Sequence, residues 1–258
     1  MNMTALGTVT IVTLVAGTLG MMAVGRRIGV RQVTRDPEAK AGSGAIEGAV
    51  FGVLGLLIAF TFSHAAQRYD IRRDALVDEA NSVSTAWMNL DLLPAASQPP
   101  LREKFRQYLD ARLDLFKALA IGEEIEAELA RANALQTEIW NLSVAACREA
   151  EAPSAPLVVL PALTEMFSVA TARTAGAQMH NPWIVYLLMG VLVIAGSLLA
   201  GYNMGVGQIR SRVHSLAFVL TLSVAIYVIL DYEFPRVGLI RLQHFDHLLD
   251  NLRQSMNP

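Results

Sequence analysis

Apolar residues gather into four long stretches of this chain, over about residues 3–24, 45–63, 183–201 and 216–230, with nearly all the charge between and after them. Each approaches the roughly 20 residues that a helix needs to cross the hydrocarbon core of a bilayer. The last does so if its helix runs on through Asp231. The pattern predicts four membrane spans around one large polar insert. Inside the second stretch Gly44, Gly48, Gly52, Gly55, Ala59, Ser63 and Ala66 recur three or four positions apart, which is one face of a helix. Glycine weakens a helix in water, whereas a bilayer enforces helix and a bare backbone lets another helix approach closely. The ladder therefore predicts a membrane helix packed against a neighbour, in its own subunit or in another.

The insert keeps a helical period throughout. Tyr69, Leu76, Val83 and Leu90 fall seven apart, with Ala80 and Trp87 interleaved. Span two is thus expected to continue as a long helix beyond the bilayer, ended by Pro94, Pro99 and Pro100. A second helix places Leu101, Phe105, Tyr108, Leu115, Phe116 and Leu119 on one face and closes at Gly122. A third, over about 123–151, carries Ile125, Leu129, Ala132, Leu135, Ile139 and Leu142. Pro153, Pro156 and Pro161 predict a break, and a helix with Leu163, Met166, Phe167 and Ala170 leads back to the membrane. No stretch alternates as a strand would. The predicted fold is all-α, a four-span helical protein with a large helical insert between spans two and three. Its parts are 1–64 (spans one and two with a short basic loop), 65–180 (an extramembrane helical bundle), 181–235 (spans three and four) and 236–258 (an amphipathic tail).

Composition agrees: 53% hydrophobic against 17% charged residues is too apolar for a soluble domain of 258 residues. A net charge of −2 removes the electrostatic case for nucleic acid. Cys147 is the single cysteine, so no intramolecular disulfide is available, and buried packing is its expected role. The amino terminus carries its positive charge after the apolar run, at Arg26, Arg27 and Arg31, the reverse of a secretory signal. It reads as an uncleaved first span, and Gly17, Gly20 and several threonines favour a packed helix. The loop from about residue 26 to 43 holds Arg26, Arg27, Arg31, Arg35 and Lys40, and the loop between spans three and four holds Arg210 and Arg212. Positive-inside bias then puts both loops in the cytoplasm of a multi-pass protein, with the insert on the non-cytoplasmic side.

Candidate chemistry is sparse. The carboxylates of the insert, Asp70, Asp74, Asp78, Glu79 and the group from Glu123 to Glu128, alternate with Arg68, Arg72, Arg73 and Arg131 at helical spacing. Solvated pairs along single helices are expected there. His244 and His247 beside Asp246 and Asp250 lack a second cluster to complete a metal site, and Leu248, Leu249 and Leu252 mark an amphipathic helix instead. No phosphate loop, nucleophile elbow or zinc-protease helix occurs; Gly201, Gly205 and Gly207 cap a span rather than follow a strand. The chain is therefore not expected to be an enzyme, and no cofactor or metal is expected. At membrane depth, Glu47 is expected to answer Arg26 or Arg27 at the interface, and Asp231 and Glu233 before Pro235 and Arg236 read as a helix stop with local ion pairing.

Two segments resemble the bestrophin-like family of bacterial membrane proteins. The first is Ala65-Ala66-Gln67-Arg68-Tyr69-Asp70 with Asp78-Glu79-Ala80-Asn81. The second is Leu230-Asp231-Tyr232-Glu233-Phe234-Pro235-Arg236 followed by Gly238-Leu239-Ile240-Arg241. The resemblance covers nearly the whole length. It implies a homo-oligomeric bacterial inner-membrane protein with four spans per subunit, conducting ions such as chloride through a pore lined by span two. Phe60 and Phe62 would be its candidate constriction. Gly44, Gly48, Gly52, Gly55, Ala59 and Ser63 then form the pore or helix-packing face. The alternative is a non-conducting scaffold or envelope sensor in which Tyr69, Leu76, Val83 and Trp87 form the bundle interface that carries the function.

Overall fold

The computed structural model describes residues 3–35, 43–121, 125–179, 181–208, 212–234 and 243–257. Among these, the regular structure is helical: α1 (Met3–Arg35), α2 (Ser43–Asn89), α3 (Gln98–Ile121), α4 (Glu126–Glu149), α5 (Ala155–Gln178), α6 (Trp183–Val206), α7 (Arg212–Glu233) and α8 (Gln243–Ser255), with a single 3₁₀ turn at Leu90–Leu92. Four helices are long and apolar enough to cross a membrane. The chain divides into two compact units, 1–69 with 180–240 and 70–179 with 241–258.

The first unit holds α1, the first half of α2, α6 and α7. Its core joins Leu54 and Ala65 of α2 to Met189 and Val193 of α6 and to Leu222, Ile226 and Ile229 of α7. The close helix approach is between α1 and α6. A methyl group at Gly25 would collide with the carbonyl of Leu198, one at Gly29 with that of Tyr202, one at Gly201 with that of Met22, and one at Gly205 with that of Arg26. These four positions admit only glycine, because the obstacle is backbone that cannot move aside. Three expectations are corrected here. Gly201 and Gly205 lie within α6 as packing positions, leaving only Gly207 as its C-cap. The packing glycines of the first span are Gly25 and Gly29, since Gly17 and Gly20 face open space. The arginines assigned to the first loop also stand on a helix, because α1 runs on to Arg35 and no proline or glycine interrupts it between Gly29 and Pro37.

The second unit is a bundle of the distal half of α2 with α3, α4, α5 and α8. Val83, Ala86 and Leu90 meet Leu101, Phe105, Tyr108 and Leu109 of α3, Leu135 and Ile139 of α4, and Val159, Leu163 and Met166 of α5. From α8, Leu249 closes one side, and Arg253 fixes the helix by donating from Nε to Asp110 Oδ1 at 2.9 Å and from Nη2 to Oδ2 at 3.1 Å. The α4 stripe departs from expectation after Ile139, continuing through Ser143, Ala146 and Cys147 while Leu142 is exposed. Cys147 is buried packing, and burial pushes its thiol up. Pro161 does not break the chain: it lies inside α5, where its missing N–H removes one intrahelical bond, while Pro156 occupies the first turn, where no donor is needed.

Candidate functional site

The second helix organises the site. Its 47 residues are more than twice the roughly 20 that a bilayer crossing needs. The membrane half has two distinct faces. Phe51, Leu54, Ile58, Thr61 and Ala65 turn inward: Phe51 meets Phe218 edge to face at 5.7 Å and lies close enough to Gly196 that a methyl there would stand 3.0 Å from its ring. Thr61, buried, donates its hydroxyl to the Leu57 carbonyl at 2.7 Å rather than to another helix.

Roughly a quarter-turn or more around the same helix stands the small-residue ladder. Gly44, Gly48, Gly52, Gly55, Ala59 and Ser63 are all exposed, and a methyl group built on any of the four glycines would meet nothing within 4 Å. The ladder therefore packs against no other described part of its own chain. Phe60 and Phe62 are exposed as well, at 57% and 40%, and do not act together: Phe62 sits edge-on to Tyr232 of α7 at 5.5 Å, while Phe60 stands on another side of α2.

At the end of the membrane half the two resemblance segments meet. Glu233, fully buried, accepts from Arg68 through Nε at 3.1 Å and through Nη2, and its other oxygen accepts from the Asn181 backbone N–H at 2.9 Å. Tyr69 lies edge to face with Tyr232 at 5.4 Å. Glu233, expected to pair locally at the stop of span four, thus has a partner 165 positions away. A carboxylate emerging from an apolar helix needs a charge-assisted bond where it is buried, and Arg68 supplies it. Pro235, Arg236 and 238–241 lie outside the described residues. Glu47 makes no ion pair among the described residues, so the expected link to Arg26 or Arg27 is absent there.

In the bundle, Glu79 overturns the expectation of solvated pairing. It is 0% exposed and accepts from Arg112 Nε at 2.5 Å and Arg173 Nη1 at 2.6 Å, side chains 2% and 5% exposed. Arg112 also donates to Thr174 Oγ1 at 2.9 Å and to the Ala170 carbonyl at 3.0 Å. The Phe116 ring covers both guanidinium groups, at 3.5 Å from Arg173 and 5.1 Å from Arg112. Burial alone would push the Glu79 carboxyl up; the two arginines outweigh it and hold the group below its ordinary range. Asp70 and Asp74 with Arg73 do form the exposed pairs expected along a single helix, and Glu128 with Arg131 forms a partly buried one.

Leu76 and Val83 are buried inside this bundle at 2% and 0%, so they present no surface to a partner. Trp87 is half-buried, edge to face with Phe105 at 6.0 Å and covered by Arg102 at 4.6 Å. Among the described residues no three His, Cys, Asp or Glu side chains gather as a metal site. The residues missed in the sequence are Arg112 and Arg173. The signal was there: each arginine occupies a core position of its apolar stripe, after Phe105 and Tyr108 on α3 and after Met166 and Ala170 on α5.

A family model for the bestrophin-like domain matches residues 12–243. Two solved variants of a bacterial bestrophin homologue from Klebsiella pneumoniae share this fold. One has a TM-score of 0.73 at 13% identity, covering 95% of this chain and 99% of its own. The other has 0.73 at 12%, covering 95% and 97%. No curated protein matches the chain in sequence.

Proposed function

The chain belongs to the bestrophin-like family, and from that premise we propose that it is a homo-oligomeric ion channel, selective for anions, whose pore is lined by the membrane half of α2. The observation that carries the reading is the open ladder. Glycines that serve packing within the subunit, Gly25, Gly29, Gly201 and Gly205, are pressed against backbone, whereas Gly44, Gly48, Gly52 and Gly55 touch nothing. A face of bare backbone and small side chains suits neighbouring copies of α2 gathered around an axis, where it leaves room for ions and offers polar backbone to them. Phe60 is the better candidate for a constriction, since Phe62 already packs on Tyr232. The protein sits in a bacterial inner membrane, with the bundle on the non-cytoplasmic side by the arginine bias of 26–35.

The scaffold alternative is weaker, because Val83 is spent on the bundle's own core and Leu76 is buried. Chloride efflux from proteoliposomes tests the proposal. Efflux that scales with protein and persists when chloride is exchanged for bromide is expected; vesicles as tight as protein-free controls contradict it.

A further inference from the structure

The first unit carries an open cavity of about 490 Å³, formed where the arginine-bearing end of α1 meets the start of α2, the end of α6 and the start of α7. Most of its wall is soft and apolar. Met22 and Met204 are adaptable side chains, and Phe51 and Phe218 present an aromatic pair at 5.7 Å. Asn203 and His214 add hydrogen-bonding groups. The wall also carries Glu47, which makes no ion pair or hydrogen bond among the described residues.

A carboxylate beside an apolar cavity in a membrane-spanning unit costs free energy unless a cation meets it. Two aromatic rings next to it favour the same sign of charge. Outside the cavity's lining but one helical turn beyond Met22, the Nε of Arg26 is buried without an acceptor among the described residues. An unmet donor calls for the opposite charge. These two unmet demands lie at the same end of the helices, beside an apolar chamber open to acyl chains.

We propose that this cavity binds an aminophospholipid, the headgroup amine on Glu47, the phosphate on Arg26 and an acyl chain along Met22, Phe51, Met204 and Phe218. A zwitterionic headgroup supplies both charges at once, which neither an anionic lipid nor a simple hydrophobic amine does. The assignment rests on the chain spanning a bilayer and not on conduction.

Native mass spectrometry of the purified full chain, delipidated and then titrated with phosphatidylethanolamine or phosphatidylglycerol, tests it. The wild type should retain phosphatidylethanolamine about tenfold better, the worth of one charge-assisted hydrogen bond. Glu47→Gln should bring the two lipids near parity with unchanged thermal unfolding. Phe218→Leu, which keeps an apolar wall, should weaken retention without reversing the preference and serves if Glu47→Gln does not fold. Equal retention of both lipids by the wild type would overturn the assignment. So would Glu47→Gln behaving as the wild type, or displacement of the lipid by stoichiometric dodecylamine, which has no phosphate.

Discussion

Arg68 and Glu233, 165 positions apart, form an ion pair in which the carboxylate is completely buried. The pair joins the end of the membrane half of α2 to the end of α7, and the Asn181 N–H completes it. Glu233→Ala leaves a guanidinium only 21% exposed facing no carboxylate. The variant is expected to lose about 2 to 3 kcal/mol of stability, read as a lower melting temperature in detergent. Arg68→Ala with Glu233→Ala should lose less than the sum of the single changes; strict additivity would show that the two do not act as a pair.

Glu79 gives a second, pH-dependent prediction. The folded carboxyl binds its proton less tightly than the unfolded one near 4.5, so its contribution is fully present above that value and is lost as pH falls through the lower folded value. The wild type should thus lose stability below about pH 4.5, with this share of the loss missing in Glu79→Gln. At pH 7 that variant leaves two buried guanidinium groups without a countercharge and should be destabilised by about 3 kcal/mol or more. Chemical denaturation at both pH values separates the two effects.

The glycines should divide into two classes. Gly201→Ala and Gly25→Ala place a methyl on backbone and are expected to destabilise the purified protein clearly. Gly17→Ala and Gly20→Ala meet open space and are expected to be neutral or to stabilise by up to about 1 kcal/mol through helix propensity. Thermal unfolding of the four variants side by side checks this; equal losses would mean that the contact between α1 and α6 is not what distinguishes them.

The ladder should lie between copies. In a Cys147→Ala background, Gly48→Cys is expected to form disulfide-linked dimers on mild oxidation, and Leu187→Cys, half-exposed on α6, is not. Dimers from Leu187→Cys alone would place the subunit contact elsewhere.

How much of this was legible before the structure depends on how far each signal travels along the chain. Local periodicity sufficed for the spans and for the continuation of α2 through Leu76 and Val83, because a helix repeats its face within one stretch. The same reasoning misjudged Glu79 and missed the distant partner of Glu233. Their nearest arginines in sequence are on hand, but their partners in space come from other helices, 33 and 94 positions away for Glu79. A charged residue at a core position of an apolar stripe was the available clue, at Arg112 above all. The ladder was visible as a face, but no described part of the chain packs on it, and a single sequence carries no register for the contact between copies proposed for it. Gly25 and Gly29 were overlooked because they lie past the apolar run, where α1 was expected to have ended.

The central claim, conduction through a pore lined by α2, is tested most directly by planar-bilayer recording of the purified protein in asymmetric chloride, with Gly55→Leu in parallel. The account predicts discrete currents reversing near the chloride potential, lost in Gly55→Leu while that variant still assembles. Silence of the wild type, or currents untouched by leucine at position 55, would contradict it.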